Sequence, residues 1–342
     1  MTKDIPVGAG AGLVAALLFG VLLKATTLAI LLYLLAPLPI LIVGLGWSHR
    51  GALAAVVSGA LALALFVSPY LGLAFAAYLA LPAWWLAYLA VLGRTGPDGG
   101  IEWYPTGRLL AWVAGTAALA FVAIAVIASP DYDTFRSQLS AMSRRVVQVQ
   151  VQRGRIPAPP QSGTAGEGTA NTTDKPAETA PQAGGAEKSD DLASEVADAL
   201  ATVAPALAAQ GLTILFTFYL WAAARIVQIS GRLLRPWPDL PSTMMPRTAL
   251  LVLAAAFALS LLSGYAGVLG IALMGAFSAA FALQGLAAFH DRSRGRPGRF
   301  ALLAGLYVLL FLTQGVAMLA LILFGIADTV LDRRRPRASG SA

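Results

Sequence analysis

YAGVLGIALMGAFSAAFALQGLAAF, residues 265 to 289, runs for 25 residues without one charged side chain. At about 1.5 Å of rise per residue, a helix of that length outreaches the roughly 30 Å hydrocarbon core of a bilayer. Comparable apolar runs fall at about 7 to 23 (VGAGAGLVAALLFGVLL), 26 to 46, 51 to 67, 70 to 93, 107 to 128, 206 to 230, 247 to 263 and 300 to 327. Hydrophobic residues make up 58% of the 342 and charged residues 12%, and the mean hydropathy is +0.72. A chain with this balance cannot hide its apolar surface in one water-soluble core, so the bilayer is its main solvent. The expected fold is all-α, a polytopic transmembrane helical bundle of about eight to nine spans. The first run resembles a signal peptide only superficially, because apolar sequence resumes directly after Lys24 instead of a polar mature chain.

Lys and Arg set the orientation. His49 and Arg50, then Arg94 and Arg108, then Arg232, Arg235 and Arg247, then Arg292, Arg294, Arg296 and Arg299 all fall on one side if the spans alternate. That side is expected to be cytoplasmic, with the N-terminus inside and the chain crossing a bacterial cytoplasmic (inner) membrane many times. The segment 129–205 then lies outside, and its seven Lys plus Arg against ten Asp plus Glu agree with that. One conflict stands. After nine spans the run Arg333, Arg334, Arg335 and Arg337 would also lie outside, so either a span is re-entrant or double, or the tail breaks the rule. The first suspect is 300–327, whose middle is interrupted by Gln314 and Gly315.

The organisation that follows is an N-terminal transmembrane half (1–128), an extracytoplasmic segment (129–205), a C-terminal transmembrane half (206–327) and a basic tail (328–342). Within the external segment, Phe135, Leu139, Met142, Val146 and Val149 recur at spacings of four and three, the signature of an amphipathic helix over 131–152. Residues 153–189 are rich in Pro, Gly, Ala, Thr and Glu and are expected to be disordered. A second helical stripe follows through Leu192, Val196, Leu200 and Val203, with Ser189 or Asp190 as its cap. The two helices should pack on each other or lie on the membrane surface.

Few residues offer chemistry. The chain contains no Cys and only two His, His49 and His290, so neither a thiolate nucleophile nor a Cys-based metal site can be drawn. No catalytic motif or nucleotide loop is present, and no basic stripe with interleaved aromatics points to nucleic acid. Gly8, Gly10 and Gly12 mimic a dinucleotide fingerprint, but they lie inside an apolar helix with no strand before them. Close helix packing through Gly8 and Gly12 is the better reading. Pro37 and Pro39 interrupt the second span and should bend or break it. Gln284 and Gln314 are amides inside apolar spans, where polar groups are expensive and face the bundle interior. They either pair between helices or contact a ligand. Arg225 is expected to snorkel toward the basic face, and Trp84, Trp85, Trp103 and Trp112 to form an interfacial belt.

APLPILIVGLGW (Ala36–Trp47), QGLAAFH (Gln284–His290) and GIADTVLDRRR (Gly325–Arg335) resemble the YybS-like predicted membrane proteins of bacteria, a family of uncharacterised function. The resemblance implies a fold similar to the substrate-binding S components of energy-coupling-factor vitamin transporters. It thereby implies a small-molecule binding bundle that docks on a membrane partner, an ATPase-bearing coupling module. This chain exceeds the usual six-helix S component, and the resemblance supplies no catalytic residue, cofactor or metal to carry over. The expected function is a non-enzymatic component that binds or transports a small solute, with Pro37, Pro39, Gln284 and Gln314 as the candidate cavity residues. The alternative is a cell-envelope scaffold that recruits partners through its external helices.

Overall fold

The computed structural model describes residues 4–152, 184–313 and 315–331. Those residues are helical almost throughout. In chain order the helices are α1 (Asp4–Gly20), α2 (Thr27–Leu34), α3 (Leu38–Gly46), α4 (His49–Phe66), α5 (Pro69–Phe75), α6 (Leu81–Ala90), α7 (Thr106–Ala128), α8 (Tyr132–Gln152), α9 (Gly184–Ile229), α10 (Thr248–Ser260), α11 (Gly264–Arg292), α12 (Arg299–Thr313) and α13 (Gly315–Leu331). Among the described residues, seven stretches are long and apolar enough to cross a membrane, and α10, α12 and α13 are shorter apolar helices. A small hairpin, β1 (Gly93–Thr95) with β2 (Ile101–Trp103), joins α6 to α7 and pairs Arg94 with Glu102.

The tight connections early in the chain have a local cause. Thr26, Ser48 and Ser68 each sit in extended conformation, and each side-chain oxygen accepts from the backbone N–H three residues on, at 3.1 Å in every case. Such caps satisfy the open donors of a helix start, so consecutive helices can turn within a few residues. Prolines break the regularity where the sequence places them. α2 stops at Leu34, the chain turns through i→i+3 bonds such as Ala36 N to Tyr33 O, and α3 restarts with Pro39 in its first turn. Pro82 has no N–H to offer the Tyr78 carbonyl, and a π-helical turn spans Ala76–Ala80 just before it.

Glycines let helices touch backbone to backbone. A Cβ built on Gly8 would stand 2.0 Å from the Gly51 carbonyl oxygen, and one on Gly12 would stand 2.1 Å from that of Ala55. The α1–α4 contact therefore runs on the face expected for that glycine pair. The α11–α13 contact is built alike, since a Cβ on Gly285 would meet Leu321 O at 2.2 Å and one on Gly325 would meet Phe281 O at 2.0 Å.

The basic ends converge on one face. Trp84 Nε1 donates to His49 O, Arg232 stacks 4.3 Å over Trp47, Arg235 donates to Ala90 O, Arg294 pairs with Asp239, and Met245 N donates to Gln284. Trp84, Trp85 and Trp112 gather there with Tyr88, and Trp112 donates to the Tyr104 hydroxyl. The 300–327 run divides into α12 and α13. Because Gly325 faces Gly285 and Asp328 lies 3.4 Å from Arg292, α13 ends beside the end of α11, at the face where α12 began. The run thus folds back on itself, in keeping with the expectation that it is re-entrant or double. The tail itself lies outside the described residues.

The described chain falls into two compact units, Met1–Ala128 with Pro205–Ala342, and Ser129–Ala204. In the second, Asp131 caps α8 by accepting from the N–H and hydroxyl of Thr134, which hold its carboxyl below the ordinary value. Ser143, Val147, Ala197 and Ala201 are buried in this unit, so α8 and the start of α9 hide one face each. Most of the expected disordered insert, 153–183, lies outside the described residues.

Candidate functional site

The three described candidate residues occupy two different places. Pro37 is fully buried at the α2–α3 break, and Pro39, two residues on, is half-buried. Tyr33, at the end of α2, packs against Phe19 with ring centroids 5.5 Å apart, in the same apolar cluster as Tyr78 of the π-turn and Tyr219. Two irregular helix segments and α9 therefore bring three phenols into one cluster. Gln314 lies outside the described residues.

Gln284 sits apart from these, on α11 near the basic face, with no exposure at all. Its Oε1 accepts from the Met245 backbone N–H at 3.0 Å, which fixes which end of the amide is oxygen. Its Nε2 then faces the Thr329 hydroxyl at 2.9 Å, Asp328 Oδ2 at 3.0 Å and Gly325 O at 3.3 Å. Asp328 is 2% exposed, and its other oxygen takes Arg292 at 3.4 Å. Every polar group of this node has a partner, so it holds α11, α13 and the 245 segment together. The amide thus pairs between helices, one of the two roles expected for it. Asp328 and Thr329 escaped the sequence reading, although a lone carboxylate near the end of an apolar run was a usable signal.

A cleft of about 600 Å³ opens beside the node. Its walls come from α6–α7 (Val91, Leu109, Val113), from α9 (Ile214, Phe218, Trp221, Ala224), from the 233–243 loop and from α11 (Leu283, Leu286, Ala287). Only Thr106, Thr217, Arg235, Thr243 and His290 bring polar side chains to it. Thr217 returns its hydroxyl to Thr213 O, and His290 lies against Leu286 O and the Tyr307 hydroxyl. Arg235 remains as the cation at the wall, half-buried and donating to Ala90 O at 3.0 Å. Burial pulls its guanidinium down from its ordinary value. Arg225, at the end of α9, lies 4.9 Å over the Trp237 ring, so it does reach the basic face as expected. Pro37, Pro39 and Gln284 are not among the wall residues; Gln284 is next to them in sequence only, its side chain turned into the polar node. Nothing local marks the wall residues in the sequence, since segments spread from residue 45 to residue 290 build the cleft. Among the described residues, no three His, Asp or Glu side chains gather where they could hold a metal ion.

Fold and cleft define a multi-pass, all-α membrane protein whose one strongly basic face carries an apolar recess. Residues 167–329 match the family described as "Predicted membrane protein (DUF2232)", which fits the resemblance to the YybS-like membrane proteins. No curated protein and no solved structure matches the chain.

Proposed function

We propose that the protein is a non-enzymatic component of the bacterial cytoplasmic membrane that binds a small hydrophobic solute, as a binding or transport subunit. The observation that carries this reading is the cleft: about 600 Å³ lined mainly by apolar side chains, with Arg235 and Thr243 at its basic loop. Clefts of a few hundred to about 1,000 Å³ with few polar groups are the usual form of small-molecule sites. On this reading the polar node around Gln284 is the frame that holds one wall of the cleft, and the Pro37 break with its tyrosines is a second polar locus inside the bundle. A membrane partner carrying ATPases would make the component a transporter. Mass spectrometry of proteins that purify with the tagged chain tests that extension.

Ala224→Phe fills the cleft from α9. Small molecules extracted from the purified wild type should include a hydrophobic species that the variant lacks, at matched thermal stability. Identical extracts from the two proteins would remove the cleft from the account.

A scaffold role is favoured by one observation, the separate compact unit Ser129–Ala204, which leaves Met142, Val146 and Val149 exposed on α8. If it holds, replacing 131–204 by a short linker abolishes the cellular phenotype while Ala224→Phe leaves it intact.

A further inference from the structure

The geometry points to an anionic phospholipid, drawn from the leaflet at the basic face, as the occupant of the cleft, with its acyl chains between α7, α9 and α11 and its phosphate at Arg235. This inference rests on the solute-binding reading and adds the chemical class of the solute.

The route of entry is the first argument. Ile214, Phe218, Trp221 and Leu240 line the cleft yet stay 40 to 55% exposed, so it opens sideways along α9 instead of being sealed. α9 is one of the membrane-spanning stretches, so that opening faces acyl chains rather than water. The second argument is charge. Arg94, Arg292 and Arg294 each have a carboxylate within 4.0 Å: Glu102, Asp328 and Asp239 respectively. Arg235 has none among the described residues, only the Ala90 carbonyl. The nearest acid in its loop, Asp239, is already paired with Arg294. A half-buried guanidinium with a neutral partner keeps most of its desolvation cost, and a phosphate oxygen at its open N–H groups would offset it through bidentate, charge-assisted bonds. A neutral solute would not. Trp237, with Arg225 over its ring, completes a rim of the cationic and aromatic kind that sits at headgroup depth.

The test uses the full-length protein in micelles holding equal amounts of phosphatidylglycerol and phosphatidylcholine with identical chains, read by native mass spectrometry. Wild type should retain the anionic lipid over the neutral one by about tenfold or more, the size of one charge-assisted hydrogen bond. Arg235→Gln should keep a lipid but bring that ratio close to one, and Arg235→Lys should restore most of it. A wild-type ratio near one overturns the proposal and needs no variant to fold. So does an unchanged ratio in Arg235→Gln. Displacement of the phospholipid by oleate at equal concentration would assign the site to a free fatty acid and also overturn it. Ala224→Phe separates the two levels: if it retains both lipids like wild type, the cleft reading itself fails. If it is empty while Arg235→Gln stays selective, only the headgroup assignment fails.

Discussion

Gln284 shows how much one buried amide can hold in an apolar bundle. Replacing it with Leu would leave the Met245 N–H without its acceptor and Asp328 with Arg292 as its chief donor. Each orphaned buried group costs about 1–3 kcal/mol. Gln284→Leu should therefore lower stability by about that amount in equilibrium unfolding in detergent, and Asp328→Asn, which keeps the shape, should cost less than Asp328→Leu. The loop pair Asp239–Arg294 behaves differently because both partners are exposed. Arg294 holds the Asp239 carboxyl below its ordinary value of 3.8. A lowered native value means that the contribution is complete above the ordinary one and fades only as pH falls through the lowered one. The difference in melting temperature between Asp239→Asn and wild type should accordingly stay small and flat from about pH 5 to 8. A difference that changes within that window would mean another group faces Asp239. At this scale the sequence singled out Gln284 because an amide in a 25-residue uncharged run is conspicuous. It did not single out Arg235, whose distinction is a half-buried place on the cleft wall with a backbone carbonyl as its partner, a fact of three-dimensional arrangement.

Helices follow the same division. Pro37 and Pro39 were readable as a break in the second span, since proline lacks the donor a continuous helix needs. The structure adds which of the two matters. Pro39 lies in the first turn of α3, where no intrahelical partner awaits its nitrogen, so Pro39→Ala should change stability by less than about 1 kcal/mol. Pro37→Ala opens space in the core and should cost more, by the same unfolding assay. The fold-back of 300–327, re-entrant or double, was legible as a conflict between the odd number of spans and the basic tail, and the interruption at Gln314 and Gly315 marked where it would turn. The absence of Cys makes the topology directly measurable. Single cysteines at Arg299 and Leu331 should react with an impermeant maleimide from the same side of the membrane, and one at Ser263 from the other. Labelling of Arg299 and Leu331 from opposite sides would restore a single crossing. The Gly285–Gly325 contact tolerates no side chain, so Gly325→Val should separate α11 from α13 and lower stability more than Gly315→Val, where a Cβ meets nothing.

For the whole molecule, fold class came from runs of apolar residues, which composition and helix geometry make unambiguous. The Arg positions that set the expected sidedness meet at one face through contacts as specific as Arg235 with Ala90 and Arg232 with Trp47. The cleft was beyond reach because its walls come from residues about 45, 90, 110, 220, 235 and 285 along the chain, none unusual for an apolar helix or a basic loop. Of the candidate residues chosen as helix breakers or buried amides, Pro37 and Pro39 lie at a helix break and Gln284 in an interhelical node. A hydrophobic molecule seated in that cleft would be caught by photo-crosslinking with a diazirine-bearing phospholipid in native membranes. Adducts mapped by peptide mass spectrometry should concentrate on Leu283, Leu286 and Ala287 of α11 together with Phe218 and Trp221 of α9. Adducts confined to outward residues such as Phe300, Phe311 and Leu312 of α12, which any annular lipid can reach, would contradict it.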